Sequence, residues 1–380
     1  MQNIKKKSNF ANEIWAERLP FPMTLHIFNP EHDLALAANA LRFTAPHAVR
    51  QLRQSLEFIP AFWAERGDAV LVEDCMLARK NAEMVAARLN MMGIGAAVRG
   101  VFLNRDNLRN LKIDRVEAWG WDRALYCELQ RYGVGGQSLP HINALARTRC
   151  LSNRNTGAEL LGRLQTDDTT GEVVACETEK DITNALNDRP NSVVKAPWSS
   201  SGRGVVFVKR GNITQSQAGW IRHTLKSQGC VMVEPCYNKV KDFAMEFFCN
   251  GNGQVDYLGL SLFDTRNGAY AGNLLATEKT KIGMLTRWIP ESLLAATSCK
   301  ICQEASLLFG GGYKGYFGVD MMVVPKAGGN GFMLHPCVEI NLRRTMGHLA
   351  LNFSPKDDDI VKVMRICYDS NKYKLKITNT

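Results

Sequence analysis

No stretch of this 380-residue chain approaches the roughly 20 consecutive apolar residues that a membrane-spanning helix needs. The opening residues carry Lys5, Lys6 and Lys7 with no apolar run behind them, so neither a secretory leader nor a spanning segment is expected. A disulfide framework is missing too. The eleven cysteines are scattered and odd in number, which suits a reducing compartment. Cys299 and Cys302 form a lone C-x-x-C within a helical apolar pattern; with no second pair to complete a zinc site, they read as helix cysteines. There is no internal repeat, no low-complexity linker, and no basic run interleaved with aromatics of the kind that grips nucleic acid. The expectation is a cytoplasmic protein that uses neither membrane nor nucleic acid.

What the chain does have is ordinary globular material, 45% hydrophobic and 22% charged. At about 150 residues per domain that is enough for two or three. The formal charge of +10 is spread along the chain, and an anionic substrate accounts for it as well as a polyanion would. From Leu25 the pattern alternates strand and helix, with strands at 25–28, 69–72, 96–98 and 116–119 and helices at 78–92 and 122–131. That is a doubly wound α/β domain. The carboxyl end of its first strand, where open sheets bind ligands, carries Asn29-Pro30-Glu31-His32-Asp33. This segment reads either as a substrate contact or as a capped helix start with an acidic first turn. Trp119-Gly120-Trp121-Asp122 ends the fourth strand and either lines the same crevice or packs in the core. A helix over 152–164 with Ser152 as its cap opens the next region, followed by strands and helices to residue 340.

Within that region lies Val193-Val194-Lys195-Ala196-Pro197-Trp198, then Ser199, Ser200, Ser201, Gly202, Arg203, Gly204 and the returning strand at Val205. A buried strand fixes the lysine, while small residues let backbone N–H groups approach an anion. No Gly-Lys-Ser/Thr follows the glycines, so this is not a Walker A loop. Lying between two strands, the loop has the geometry of a lid; its plain alternative is a flexible hairpin.

Two late strands carry the metal chemistry. Gly318-Val319-Asp320-Met321-Met322 places one carboxylate, and Val338-Glu339-Ile340-Asn341-Leu342-Arg343 places Glu339, Asn341 and Arg343 on one face, because alternate positions share a face. Hard divalent cations select such oxygen donors, and the arginine suits phosphate beside them. The plain alternative is ion pairing of Asp320 and Glu339 with Arg343 or Arg344.

Taken together, residues 150 to 355 resemble the ATP-grasp superfamily, whose members bind ATP between two α+β subdomains and mostly join a carboxylate to a nucleophile through an acyl-phosphate. The resemblance implies an N-terminal doubly wound α/β domain followed by a two-subdomain ATP-grasp fold, an α/β and α+β chain. The divisions are a tail at 1–20, a pre-ATP-grasp-like domain at 21–145, subdomains at 146–230 and 231–355, and an extension at 356–380. It also implies roles. Lys195 contacts the ATP phosphates and Ser199 through Gly204 close over them. Arg154 stands where many members have a second phosphate-binding lysine. The strand Val231 to Tyr237 is the adenine hinge, with Glu234 its acidic member, Cys236 within it and Pro235 removing one backbone donor. Asp242 takes the ribose. Asp320, Glu339 and Asn341 hold Mg²⁺, one ion or two, with Mn²⁺ a workable substitute, and Arg343 stabilises the transferring phosphoryl group. The polar segment 263–273 and the following 278–281 cover the site, with Arg266, Tyr270 and Lys281 as candidates to meet the acceptor.

The implied activity is an ATP- and Mg²⁺-dependent ligase of carboxylate-amine or carboxylate-thiol type, acting on a small-molecule or peptide carboxylate. An ATP-dependent phosphotransferase and a non-catalytic nucleotide-binding regulator are the alternatives, and a homo-oligomer is compatible with either.

Overall fold

The computed structural model describes residues 22–187, 189–199, 204–266 and 269–380. The first sheet is parallel and has the order β3-β2-β1-β4: β1 (Thr24–Ile27), β2 (Ala69–Leu71), β3 (Val101–Leu103) and β4 (Arg115–Ala118). All four residues of β1 are buried, as a strand covered on both faces requires. The strand order reverses between β1 and β4. At that switch point the Asn29 side chain donates to Gly120 O at 2.8 Å and accepts from Gly120 N at 3.3 Å. Position 120 must be glycine, because a Cβ there would sit 2.4 Å from the His32 ring.

Two expectations shift here. The third strand lies at Val101–Leu103, not 96–98, because the Asn90 side chain holds Ala96 at both N–H (2.9 Å) and C=O (3.0 Å) and keeps it out of the sheet. The helix expected over 152–164 runs from Arg154 to Arg163, and a further helix, Ile142–Leu151, precedes it. Ser152 closes the first, its hydroxyl donating back to Thr148 O at 2.7 Å, and Asn153 caps the second by accepting from Asn155 N at 2.8 Å.

A second, four-stranded sheet has the order β5-β8-β6-β7: β5 (Val174–Cys176), β6 (Asn191–Lys195), β7 (Val205–Lys209) and β8 (Val231–Pro235). It is antiparallel throughout. Val231–Pro235, which the sequence reading groups with the later region, pairs inside this sheet. The third sheet is antiparallel with seven strands in the order β13-β12-β9-β10-β11-β14-β15. In chain order these are β9 (Lys241–Cys249), β10 (Val255–Arg266), β11 (Ala269–Leu275), β12 (Gly315–Pro325), β13 (Phe332–Asn341), β14 (Lys362–Asp369) and β15 (Lys372–Asn379).

Strand alternation divides the large sheet into two chemistries. Phe243, Met245, Phe247, Leu260, Val319 and Met321 face the helices Arg154–Arg163 and Glu291–Phe309 and form the main core. The opposite face carries Asp242, Glu246, Ser261, Asp320, Glu339 and Asn341, as the registers Gly318↔Glu246, Asp320↔Ala244 and Asp320↔Glu339 require. The last strands return to the first unit: Met364, Leu375 and Ile377 pack with Ala82, Val85, Leu89 and Phe353 in one core.

Candidate active site

The polar face of the large sheet holds the site. Asp320 lies directly opposite Glu339 on the neighbouring strand, and two carboxylates so placed repel each other. Burial and the Glu339 charge push the Asp320 carboxyl up to about 7, against the pull of Arg343 and a hydrogen bond from Asn341. A pair arranged this way suits a cation between the carboxylates. Among the described residues no group of three His, Cys, Asp or Glu side chains stands together as a metal cluster. A divalent ion bound at this pair would have Asp320, Glu339 and the amide oxygen of Asn341 as its protein donors, with water and phosphate completing its shell.

Lys195 ends β6, is almost wholly buried, and places Nζ 2.5 Å from Glu234 Oε2 on the adjacent β8. Strand pairing fixes both, since Val193 stands opposite Glu234 and Lys195 opposite Met232. The base of the serine-glycine loop is tightly drawn. Ala196 N donates to Gly204 O at 2.8 Å, Gly204 has φ +66°, and a Cβ on it would sit 2.4 Å from the Ser199 Cβ. Glycine alone meets both demands. Ser200, Ser201, Gly202 and Arg203 lie outside the described residues.

Arg154 joins this loop to β13. Its Nη1 donates to Ala196 O (2.7 Å) and Ser199 Oγ (2.8 Å), and its Nη2 to Glu339 Oε1 (2.7 Å). Its Nε is buried with no partner among the described residues.

Arg343 reaches backwards 310 residues. Nε meets both oxygens of Asp33 (2.9 and 3.0 Å), and Nη2 donates to Asp33 Oδ2 and to Asn341 Oδ1, each at 2.8 Å. Burial works against both ions, yet the pairing outweighs it: Asp33 stays below the usual carboxylate range and Arg343 stays firmly charged. The segment Asn29 to Asp33 is thereby tied to the end of β13.

Other expected residues have different surroundings. The Cys236 N–H is taken by Asn191 O at 3.0 Å, so with Pro235 beside it the hinge offers carbonyls more than donors. Asp242 accepts from Thr265 Oγ1 at 3.1 Å and pairs with Lys239. The covering segment is a β-hairpin, β10 and β11, followed by a helix at Glu278–Leu285. Tyr270 donates to Asn273 Oδ1 at 2.6 Å. Lys281 is buried and spends its ammonium on Leu260 O (2.6 Å) and Glu278 (2.8 Å), so it does not meet an acceptor. The Arg266 side chain lies outside the described residues.

Two residues of this face escaped the sequence reading. His335 on β13 is buried, and neither ring nitrogen has a partner among the described residues; burial first, then the Lys195 charge, lower it to about 4. Glu246 is buried beneath Thr345, whose hydroxyl donates to Oε1 at 2.8 Å. Only a polar residue in an otherwise apolar strand signalled either one.

No protein-family model matches the chain, and no curated protein matches it in sequence. Solved structures do. The biotin carboxylase domain of the Hydrogenobacter thermophilus 2-oxoglutarate carboxylase, in complex with MgADP, ADP and bicarbonate, aligns with a TM-score of 0.51 at 11% identity, over 92% of this chain and 75% of that one. Campylobacter jejuni biotin carboxylase aligns at 0.48 and 12% identity over 90% and 75%. The ADP complex of Staphylococcus aureus N5-carboxyaminoimidazole synthetase aligns at 0.46 and 15% identity over 92% and 83%. With a parallel α/β unit leading into two antiparallel sheets that carry Lys195 on one and Asp320 and Glu339 on the other, the chain has the ATP-grasp fold.

Proposed function

We propose that this protein is an ATP- and Mg²⁺-dependent ligase that activates a small-molecule or peptide carboxylate for attack by an amine or other nucleophile. The observation that carries the reading is the convergence of Asp320, Glu339 and Asn341 on one sheet face, within reach of Arg154 and the Lys195 loop. Lys195, Arg154, Ser199 and Gly204, with Ser200 to Arg203 between them, hold the phosphates. Glu234 and Cys236 flank the base, and Asp242 takes the ribose. Bound Mg²⁺ would neutralise the β- and γ-phosphate oxygens.

In the first step a substrate carboxylate oxygen attacks the γ-phosphorus, the bond to the ADP oxygen breaks, and ADP leaves. The Arg343 guanidinium, oriented by Asp33, offsets charge on the transferred group. In the second step the nucleophile attacks the acyl carbon, phosphate departs with its bridging oxygen, and the nucleophile's proton is released. Water would hydrolyse the acyl-phosphate, so closure of the 199–204 loop is part of the chemistry. The carboxyl end of β1, beside Asp33, is the place for substrate, because Asp33 is bonded to Arg343.

The test is ADP release across a panel of amino acids and small acids, followed by mass analysis. ADP, free phosphate and a condensed product are expected, and Glu339→Gln abolishes all three while calorimetry follows Mg·ATP binding separately. A phosphorylated product would make it a phosphotransferase. Undiminished ADP release by Glu339→Gln would remove the metal assignment.

A further inference from the structure

The large sheet ends at β15, and its outer edge is left open. Ser370 and Asn371, both at positive φ (52° and 61°), form a two-residue turn closed by the pair Asp369↔Lys372. Antiparallel alternation then turns the backbone groups of Lys372, Lys374 and Lys376 toward β14 and those of Tyr373, Leu375 and Ile377 outward. Two outward groups are met: Tyr373 N donates to Ser55 Oγ at 3.2 Å, and Arg88 Nε reaches Ile377 O at 3.5 Å. The Leu375 N–H and C=O and the Ile377 N–H have no partner among the described residues.

A cavity of about 740 Å³ runs along this edge. Its floor is the helix Cys75–Met91, which presents Leu77, Asn81 and Met84 there; Leu77 is 39% and Met84 55% exposed. β15 already lies on the same helix through Leu375 and Ile377 against Ala78, Ala82 and Val85. The next strand position in the sheet therefore has both a hydrogen-bonding wall and an apolar floor. From Asp74 to Arg88 the helix rises about 21 Å, room for about six extended residues.

Charge selects the occupant. The solvent face of the β14–β15 hairpin carries Arg365, Lys372, Lys374 and Lys376 against one acid, Asp369, which pairs with Lys374 at 2.8 Å. A second copy pairing edge to edge would set these lysines against each other, and the chain's own first residues bring Lys5, Lys6 and Lys7. Glu73, held by Gln54 beside Ser55, closes the groove at the Tyr373 end, so acidic side chains belong over Lys374 and Lys376.

We propose that β15 accepts one further strand from a partner protein, an extended segment alternating acidic and apolar residues, with the acids over Lys374 and Lys376 and the apolar side chains on Leu77 and Met84. This surface is independent of the ligase reading.

The probe is a fluorescein-labelled peptide, Glu-Val-Glu-Val-Glu-Val, titrated into the full chain by anisotropy. Saturable binding is expected, with hydrogen exchange slowed at the Leu375 and Ile377 amides and unchanged at Lys374 and Lys376, which β14 already protects. Reversing the charges with Lys374→Glu and Lys376→Glu lowers affinity about tenfold and transfers preference to Lys-Val-Lys-Val-Lys-Val. The proposal is overturned by absent binding, by indifference to the charge reversal, or by no protection at either outward amide. It is overturned equally by self-association through this edge, or by binding that emerges only when residues 1–21 are removed.

Discussion

Glu246 provides the sharpest test of the electrostatics beneath the site, through its replacement by glutamine. The carboxyl is 1% exposed, and its Oε1 accepts from Thr345 Oγ1. Its Oε2 lies 3.1 Å from His348 Nδ1 without hydrogen-bond geometry to it. That nitrogen already accepts from Thr345 N at 3.1 Å, while Nε2 faces Phe247 O at 3.3 Å, so His348 carries its proton on Nε2 and offers Glu246 a lone pair. An ionised Glu246 would be a buried anion facing that lone pair. Burial accordingly lifts Glu246 to about 8 and, helped by Arg344, lowers His348 to about 3.

The sign follows from the proton count. An unfolded glutamate releases its proton near pH 4.5, whereas the folded one keeps it to about 8. Stability from this group is therefore intact below pH 4.5 and falls as pH rises through 8. At 1.36 kcal/mol for each pH unit of difference, the loss between pH 5 and pH 8 is at most about 4 kcal/mol. Glutamine reproduces the neutral carboxyl, its amide facing Nδ1 and its carbonyl accepting from Thr345, and has no charge to lose. Urea unfolding at pH 5, 6, 7 and 8 should show Glu246→Gln gaining on wild type by about 2–3 kcal/mol as pH rises. A constant gap, or one that swings toward glutamate at high pH, would refute the neutral carboxyl.

Three more outcomes bear on the site. Gly204→Ala forces a side chain into positive φ against Ser199 and should weaken Mg·ATP binding about tenfold by calorimetry; unchanged affinity would mean the loop base takes no part. Lys195→Met in a Glu234→Gln background, which avoids stranding a buried carboxylate, should lower ATP affinity about tenfold or more. Arg343→Lys cannot keep the fork to Asp33, so kcat should fall about a hundredfold while ATP affinity stays within about threefold. Lost ATP affinity with kcat unchanged would show that Arg343 serves binding alone.

Residues whose placement depends on strand period were readable from the chain. Asp320, Glu339 and Asn341 follow from alternation on two neighbouring strands, and Lys195 from the apolar run before it. Lys281 was misread because its segment looked like a polar loop, although Thr277 and Thr280 carry a helix start: the Thr277 hydroxyl accepts from Thr280 N at 3.2 Å. Glu246 and His335 gave little signal, since a single polar residue in an apolar strand does not reveal which neighbours will cover it.

By itself the sequence determined the alternation of apolar and polar positions, the caps and turns, and hence which side chains share a face, because these follow from the local geometry of the backbone. Only the tertiary structure decided that Arg343 is held by Asp33, that Arg154 bridges Ser199 to Glu339, that Glu246 is sealed beneath Thr345, and that β15, the edge strand of the large sheet, packs against the first unit. Those contacts join residues tens to hundreds of positions apart. Their distances and charges are set by how the three sheets pack, which no local pattern encodes.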